Sequence, residues 1–312
     1  MAVTPVLPKL VGERVRRRED PRLIQGRGTY VDDITVAGMQ HLAFKRCDIA
    51  HGRIRSIDTA AAAAMDGVEA VFTGVQIAEL LTPMPIGTPF PSPPHRAVAA
   101  DVVRYAGEPV AVVVARDRYV ARDAADAIVV DYDPLPVVVD PEPAMTGKPA
   151  VIHPDFPNNL AVPFVPSGTG VSADGKIVDD SAINKAFAAA DVVISQRMVN
   201  HRLVPNAIEP RGVVAHYEPG KDAMTIWSST QNPHILRTMI AAMTGMGQDR
   251  VRAIAPEVGG GFGCKINIYA EEYARLRRCV RRGHAGIREA GRPTARGARE
   301  TPSIRCAGVI CV

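Results

Sequence analysis

The residues best suited to chemistry gather late in the chain. The stretch Val258–Lys265, VGGGFGCK, places glycine at 259, 260, 261 and 263. Glycine loses more conformational freedom on ordering than any other residue, so such a cluster is kept where the backbone takes positive φ or where another group must come close. Amides bared at a turn between a strand and a helix N-terminus suit an anionic group, such as a phosphate or a pterin-like ligand. A plain tight turn is the competing reading. Two familiar phosphate motifs are excluded by residue type. A P-loop requires glycine before its lysine and Ser or Thr after it, where this chain has Cys264 and Ile266. The dinucleotide fingerprint requires glycine or alanine at the position of Cys264.

Other polar residues give weaker signals. His201, His216 and His234 share no ligand spacing, which favours structural or surface roles. Asp131 and Asp133 flank Tyr132 just before Pro134 and read as a solvated turn rather than a catalytic carboxylate pair. Cys264 reads as a small buried packing residue, and Trp227, the sole tryptophan, as core. The five cysteines, Cys47, Cys264, Cys279, Cys306 and Cys311, contain no CxxC pair, which argues for reduced thiols and against a zinc or disulfide framework.

The elements that must position these residues follow from periodicity. HLAFKRCDIAHGRIRSID reads as strands, and Thr59–Gly67 as a short alanine-rich helix ended by glycine. Val110–Ala115 is a buried-strand run, Arg118–Ala127 has a helical period, and Ile128–Tyr132 is again a strand. The proline-rich stretch Thr82–Pro94 lacks the amide donors of a central strand. Beyond a Pro-, Asn- and Gly-bearing stretch from His153 to Gly170, three strands are expected, starting at Asp191, Arg211 and Ala223. A helix follows from Pro233 to about Met243 with Asn232 at its N-cap, then the strand RVRAIAP, then the glycines. Ile266, Tyr269, Tyr273 and Leu276 predict a helix immediately after them.

A chain of 312 residues that is 46% hydrophobic buries a sizeable core and has room for about two domains. It shows neither a secretory signal nor an apolar run long enough to span a bilayer, so a cytoplasmic protein is expected. The net charge of +4 is unevenly spread. Residues 275–312 hold ten arginines, no lysine and two glutamates, net +8, leaving 27 basic and 31 acidic side chains, net −4, in residues 1–274. Nucleic-acid binding would rest on that tail alone, which lacks aromatic interleaving, and is not expected.

Taken in order, RLIQGRGTYVDDI, HLAFKRCDIAHGRIRSID, VRYAGEPVAVVVARDRYVARDAADAIVVDYDPLPVVVDP, LVPNAIEPRGVVAHY, WSSTQNPH and VGGGFGCKINIYAEE resemble successive landmarks of one family. That family is the molybdopterin-binding large subunits of xanthine dehydrogenase, aldehyde oxidase and carbon monoxide dehydrogenase. The resemblance covers roughly residues 12–274 and implies an α+β (mixed α/β) architecture, an α/β hammerhead domain followed by an incomplete molybdenum-cofactor-binding domain. The expected boundaries are an N-terminal extension over 1–19, the hammerhead over 20–150, a linker over 151–170, the first part of the cofactor domain over 171–274, and an atypical Arg-rich tail over 275–312. An abrupt loss of periodicity near Arg275 points to a frameshift there.

By the same resemblance, Gln231 lies beside molybdenum and hydrogen-bonds an oxo ligand, and the backbone of Gly260, Gly261, Phe262 and Gly263 holds the cofactor. The implied cofactor is molybdenum–molybdopterin, in the cytosine dinucleotide form. Iron-sulfur and FAD groups are expected on two partners, an iron-sulfur small subunit and an FAD-binding medium subunit. The implied reaction oxidises an aldehyde, an N-heterocycle or carbon monoxide with oxygen from water. Ile266 stands where purine-oxidising members carry a glutamate, which disfavours xanthine, and no loop matches the copper-bearing cysteine of carbon monoxide chemistry. The general-base glutamate of the family has no match in these residues either. The chain is therefore expected to be inactive alone, with a non-catalytic docking scaffold or a pseudogene product as the alternatives.

Overall fold

A computed structural model describes residues 12–84, 92–146, 148, 150–161, 170–171, 177–179, 181–270, 272–273 and 309–311. Seven described helices are α1 (Asp20–Leu23), α2 (Ala60–Ala63), α3 (Gly74–Leu80), α4 (Arg118–Asp126), α5 (Pro141–Ala144), α6 (Ser181–Ala189) and α7 (Pro233–Thr244). In the first half, β1 (His41–Arg46), β5 (Pro109–Ala115) and β3 (Val68–Thr73) form an antiparallel sheet with β5 at its centre. Here β2 (Gly52–Asp58) lies between β4 (Val102–Val103) and β6 (Val129–Pro134) in a second antiparallel sheet. The order β5–α4–β6 is thus not a parallel crossover, because its two strands belong to different sheets. A two-stranded pair joins β7 (Gly170–Val171) to β8 (Ile177–Asp179).

All seven residues of β5 are buried, as its unbroken apolar run requires of a strand covered on both faces. One face, Ala111 and Val113, meets Ala124 and Ala125 of α4, whose small side chains let the helix lie close to the sheet. Asp117 starts that helix by accepting from the amides of Tyr119 and Val120, both at 2.9 Å. From the other face, Val112 joins a core shared with the second half, reaching Val213, Ala215, Ile226, Leu236, Ile240 and Tyr273.

The second half is built on a four-stranded sheet of order β11–β10–β9–β12, comprising β9 (Gly212–Glu218), β10 (Ala223–Ser228), β11 (Val251–Ile254) and β12 (Val309–Cys311). α7 packs across it through Leu236, Ile240, Ala241 and Met243, and Gly245 closes the helix at φ +73°. Asn232 occupies the N-cap without a side-chain cap bond. Its own amide donates instead to Thr230 Oγ1 at 3.1 Å. Residues at the front of the chain reach this half too: Val31 is buried against Val214, with Ile34, Val36, Met39 and Trp227 around them.

Several sequence expectations change. The run from Asp191 is not a strand: residues 191–206 are exposed, among them Val192, Ile194, Met198 and Leu203. Alternating apolar residues form a strand only beside a ladder partner, and both sides of β9 are already paired, to β10 and β12. β3, α3 and α6 were not anticipated, nor was β12 in a tail that shows no period. Most of that tail, residues 275–308 and 312 with the supposed frameshift, lies outside the described residues, as do residues 85–91 of the proline-rich stretch and 162–169 of the linker. No described helix is long and apolar enough to cross a membrane.

The shared core makes the two halves one cooperative unit. Ile240→Ala is expected to lower stability by about 2–5 kcal/mol, the usual cost of deleting a buried aliphatic side chain. Far-UV circular dichroism and Trp227 emission should shift to lower denaturant together, whereas two separated transitions would contradict a common core.

Candidate functional site

The candidate site stands where β10 and β11 leave the sheet. After Ser228 the chain runs through Ser229 and Thr230, both buried, and emerges at the exposed Gln231. After Ile254 it crosses to the glycine run, which does not open onto a helix as the sequence suggested. Residues 262–265 make a turn, and helical backbone begins only at Ala270. The periodic spacing of Ile266 and Tyr269 reflects a bend in which the Tyr269 hydroxyl donates to the Cys264 carbonyl at 2.7 Å and the Arg211 guanidinium lies 3.2 Å from the Tyr269 ring centre. A helix dipole is therefore not what makes this loop attractive to an anion.

Backbone shape supplies that property instead. Gly260 and Gly263 have φ of +103° and +87°, which side chains seldom adopt. Phe262, a residue 73% exposed, is held at φ +49°, a strained conformation of the kind that clusters at functional sites. A Cβ on Gly261 would sit 2.5 Å from Cδ and Oε1 of Gln231, so the loop touches the glutamine because residue 261 is glycine. Gln231 Oε1 accepts from the amides of Gly263 at 3.0 Å and Lys265 at 3.3 Å. Two N–H donors at one end of the amide identify that end as oxygen, leaving the NH2 group as the donor offered outward. Among the described residues, the amides of Gly260, Gly261 and Phe262 donate to no protein acceptor. Three consecutive amides without a protein acceptor, next to an exposed glutamine whose carbonyl is engaged, are uncharged donors of the kind that suit anionic oxygens.

Beneath the loop is a buried polar hub that sequence reading did not single out. Lys265, 2% exposed, directs Nζ to the Glu209 carbonyl at 2.7 Å, to Glu209 Oε2 at 3.1 Å and to Ser229 Oγ at 2.7 Å. Glu209 Oε2 also accepts from Ser229 Oγ at 2.6 Å and from the Gly259 amide at 2.7 Å. A second carboxylate, Glu257, takes the Thr29 amide at 2.7 Å and pairs with Arg22, tying the front of the chain to the approach of the loop. Arg22 and the Thr29 amide hold the Glu257 carboxyl below the usual carboxylate range.

Of the residues singled out from sequence, Gln231, Gly261 and Gly263 come into direct contact, Gly260 lies against the Phe262 ring, and Phe262 itself points outward. Cys264 is half-buried rather than core, its thiol donating to the Gly261 carbonyl at 2.9 Å. Asp133 lies within β6, exposed beside Arg55, rather than in a turn. No group of three or more His, Cys, Asp or Glu among the described residues could hold a metal ion. The molybdenum–molybdopterin cofactor, in which the pterin rather than protein side chains holds the metal, fits these residues: its anionic oxygens need hydrogen-bond donors and close approach, and both are present.

Comparisons with known proteins identify the two halves of the chain. Residues 25–136 match the aldehyde oxidase and xanthine dehydrogenase a/b hammerhead domain, and residues 153–277 match the molybdopterin cofactor-binding domain. The carbon monoxide dehydrogenase large chain of Hydrogenophaga pseudoflava is 39% identical over 273 residues, covering 83% of this chain and 32% of that one. The nicotine 6-hydroxylase large subunit of Paenarthrobacter nicotinovorans is 36% identical over 273 residues, covering 86% and 32%. Among solved structures, carbon monoxide dehydrogenase from Oligotropha carboxidovorans superposes with a TM-score of 0.76 at 32% identity, over 96% of this chain and 35% of that one. The chain thus spans about a third of the length of the curated relatives it matches. Its two matched domains, in this order and with this fold, place it in the xanthine dehydrogenase, aldehyde oxidase and carbon monoxide dehydrogenase family of molybdopterin-binding large subunits.

Proposed function

We propose that Gln231 and the loop Gly259–Gly263 form one wall of a molybdenum–molybdopterin site in the catalytic subunit of a molybdenum-dependent oxidoreductase. The observation that carries this reading is the row of three free amides, Gly260 to Phe262, set beside a glutamine whose carbonyl is already engaged. When bound, the cofactor supplies a two-electron acceptor that lets water serve as the oxygen source. The Gln231 NH2 group donates to an oxygen of the cofactor without adding charge, and the three amides share its remaining negative oxygens. Gly260 and Gly261 let these oxygens approach the backbone directly.

In this reading the cofactor is the cytosine dinucleotide form, and electrons leave through iron-sulfur and FAD groups on a small and a medium partner subunit in the cytoplasm. The relatives' names support a multi-subunit assembly: a large chain, a large subunit and a subunit gamma of a dehydrogenase complex. Substrates are small aldehydes, N-heterocycles or carbon monoxide. Ile266, 42% exposed beside the loop, offers no acceptor for the hydrogen bonds of a purine, which disfavours that class.

Produced in a host that makes the cofactor, the purified chain should carry molybdenum and pterin, read by plasma mass spectrometry and by the fluorescence of the oxidised pterin. Gln231→Ala should cut that loading about tenfold, the value of one hydrogen bond to a charged group. A wild-type chain containing neither would overturn the reading.

The contact between loop and glutamine has its own test. Gly261→Ala should destabilise by about 1–3 kcal/mol through overpacking. Combined with Gln231→Ala, which removes the clashing atoms, its cost should fall by at least about 0.5 kcal/mol. Additive denaturation energies would show that the two residues do not touch.

A further inference from the structure

We infer that Lys265 and Glu209 are positioning residues, whose buried ion pair fixes the shape of the glycine loop and, through it, the direction in which Gln231 presents its amide. The inference rests on reading the loop as a cofactor wall, but its structural half can be tested without the cofactor.

Glycine-rich backbone has no intrinsic preference for one conformation, so the loop's shape must be imposed from outside. The pair grips it at both ends. At the entrance, Glu209 Oε2 accepts from the Gly259 amide at 2.7 Å, and the Glu209 amide donates to the Gly259 carbonyl at 3.2 Å. A Cβ on Gly259 would lie 2.4 Å from Glu209 Cβ, so residue 259 is glycine to let the chain at Glu209 come this close. At the exit, Lys265 is anchored by all three of its ammonium donors, to the Glu209 carbonyl, to Glu209 Oε2 and to Ser229 Oγ.

The backbone of Lys265 then reaches Gln231 two ways and the preceding Thr230 once. Its carbonyl accepts from the Gln231 amide at 2.9 Å and from Thr230 Oγ1 at 3.2 Å, and its amide donates to Gln231 Oε1 at 3.3 Å. Lys265 therefore cannot shift without moving both Gln231 and the bond that sets the polarity of its side chain. Neither Lys265 nor Glu209 is placed to touch the cofactor: the Lys265 side chain is 1% exposed and that of Glu209 13%. Their effect is exerted through the loop.

Native-state hydrogen exchange followed by mass spectrometry tests this on the full chain, comparing peptides across residues 258–266 with peptides from β5, β9 and β10. Lys265→Met strands the Glu209 carboxylate and should raise loop exchange by about 100-fold or more, because removing one partner of a buried ion pair leaves an uncompensated charge. Exchange in β5 and β10 should stay within about threefold of wild type, since a local opening does not involve them. Glu209→Gln keeps the shape and an acceptor for Gly259, so it should raise loop exchange about tenfold. It supplies the readout if Lys265→Met does not fold. The double variant Lys265→Met/Glu209→Gln leaves no stranded charge and should recover at least about tenfold of the protection lost in Lys265→Met. Loop exchange unchanged in either single variant, or rising only in step with every strand peptide, overturns the inference. A wild-type chain that binds no pterin while these exchange results hold would remove the cofactor reading and leave the positioning role standing.

Discussion

The arrangement of the site depends on one buried charge pair. Lys265 and Glu209 are 56 residues apart in sequence, and between them lie β9, β10, α7 and β11. Joining their side chains beneath the sheet's exit brings the residues just before β9, the residues after β10 and the glycine run to one place. Burying two charges carries a large desolvation cost, which is offset only when the remaining donors and acceptors are satisfied. Here the ammonium uses its three donors, and Glu209 Oε2 takes Lys265, Ser229 Oγ and the Gly259 amide. The pair therefore tolerates one arrangement of the surrounding backbone and few others, which is the property a precisely placed loop requires.

The rest of the fold serves that arrangement by holding its floor still. Val112 of β5 packs into the same core as Ile226, Leu236 and Ile240, so the first half buttresses the sheet from which the site emerges. Buried Glu272 reinforces the exit from a third direction, accepting from Ser228 Oγ at 2.8 Å and from the Tyr269 amide at 2.9 Å. Arg22 and Thr29 hold Glu257 just upstream of the glycines. The depressed Glu257 pKa gives this tie a sign. Its contribution to stability is present above the ordinary carboxylate range and is lost as pH falls through the folded-state value.

Local patterns in the sequence were sufficient for elements whose partners lie close by or whose burial is complete. β5 announced itself by its unbroken apolar run, α4 by the helical period of Arg118–Ala127, and α7 by Asn232 and Pro233 at its start. The run from Asp191 misled because alternation states which face could be covered, not whether a neighbouring strand exists to pair with it. The glycine cluster correctly marked a place of close approach and positive φ, but not the turn that separates it from the next helix. Gln231 became legible only through family likeness, since a lone glutamine has no period. The Lys265–Glu209 contact was illegible for a different reason: long-range pairing of two common charged residues leaves no local trace.

The central claim is that the amides of Gly260, Gly261 and Phe262, together with the Gln231 side chain, face the molybdopterin cofactor. Nuclear magnetic resonance of isotope-labelled chain, titrated with molybdopterin released from a purified molybdoenzyme, addresses it directly. The account predicts that those three amide resonances and the Gln231 NH2 pair move first and furthest and lose their exchange with solvent. Shifts concentrated elsewhere on the chain, with these four groups unmoved, would contradict it.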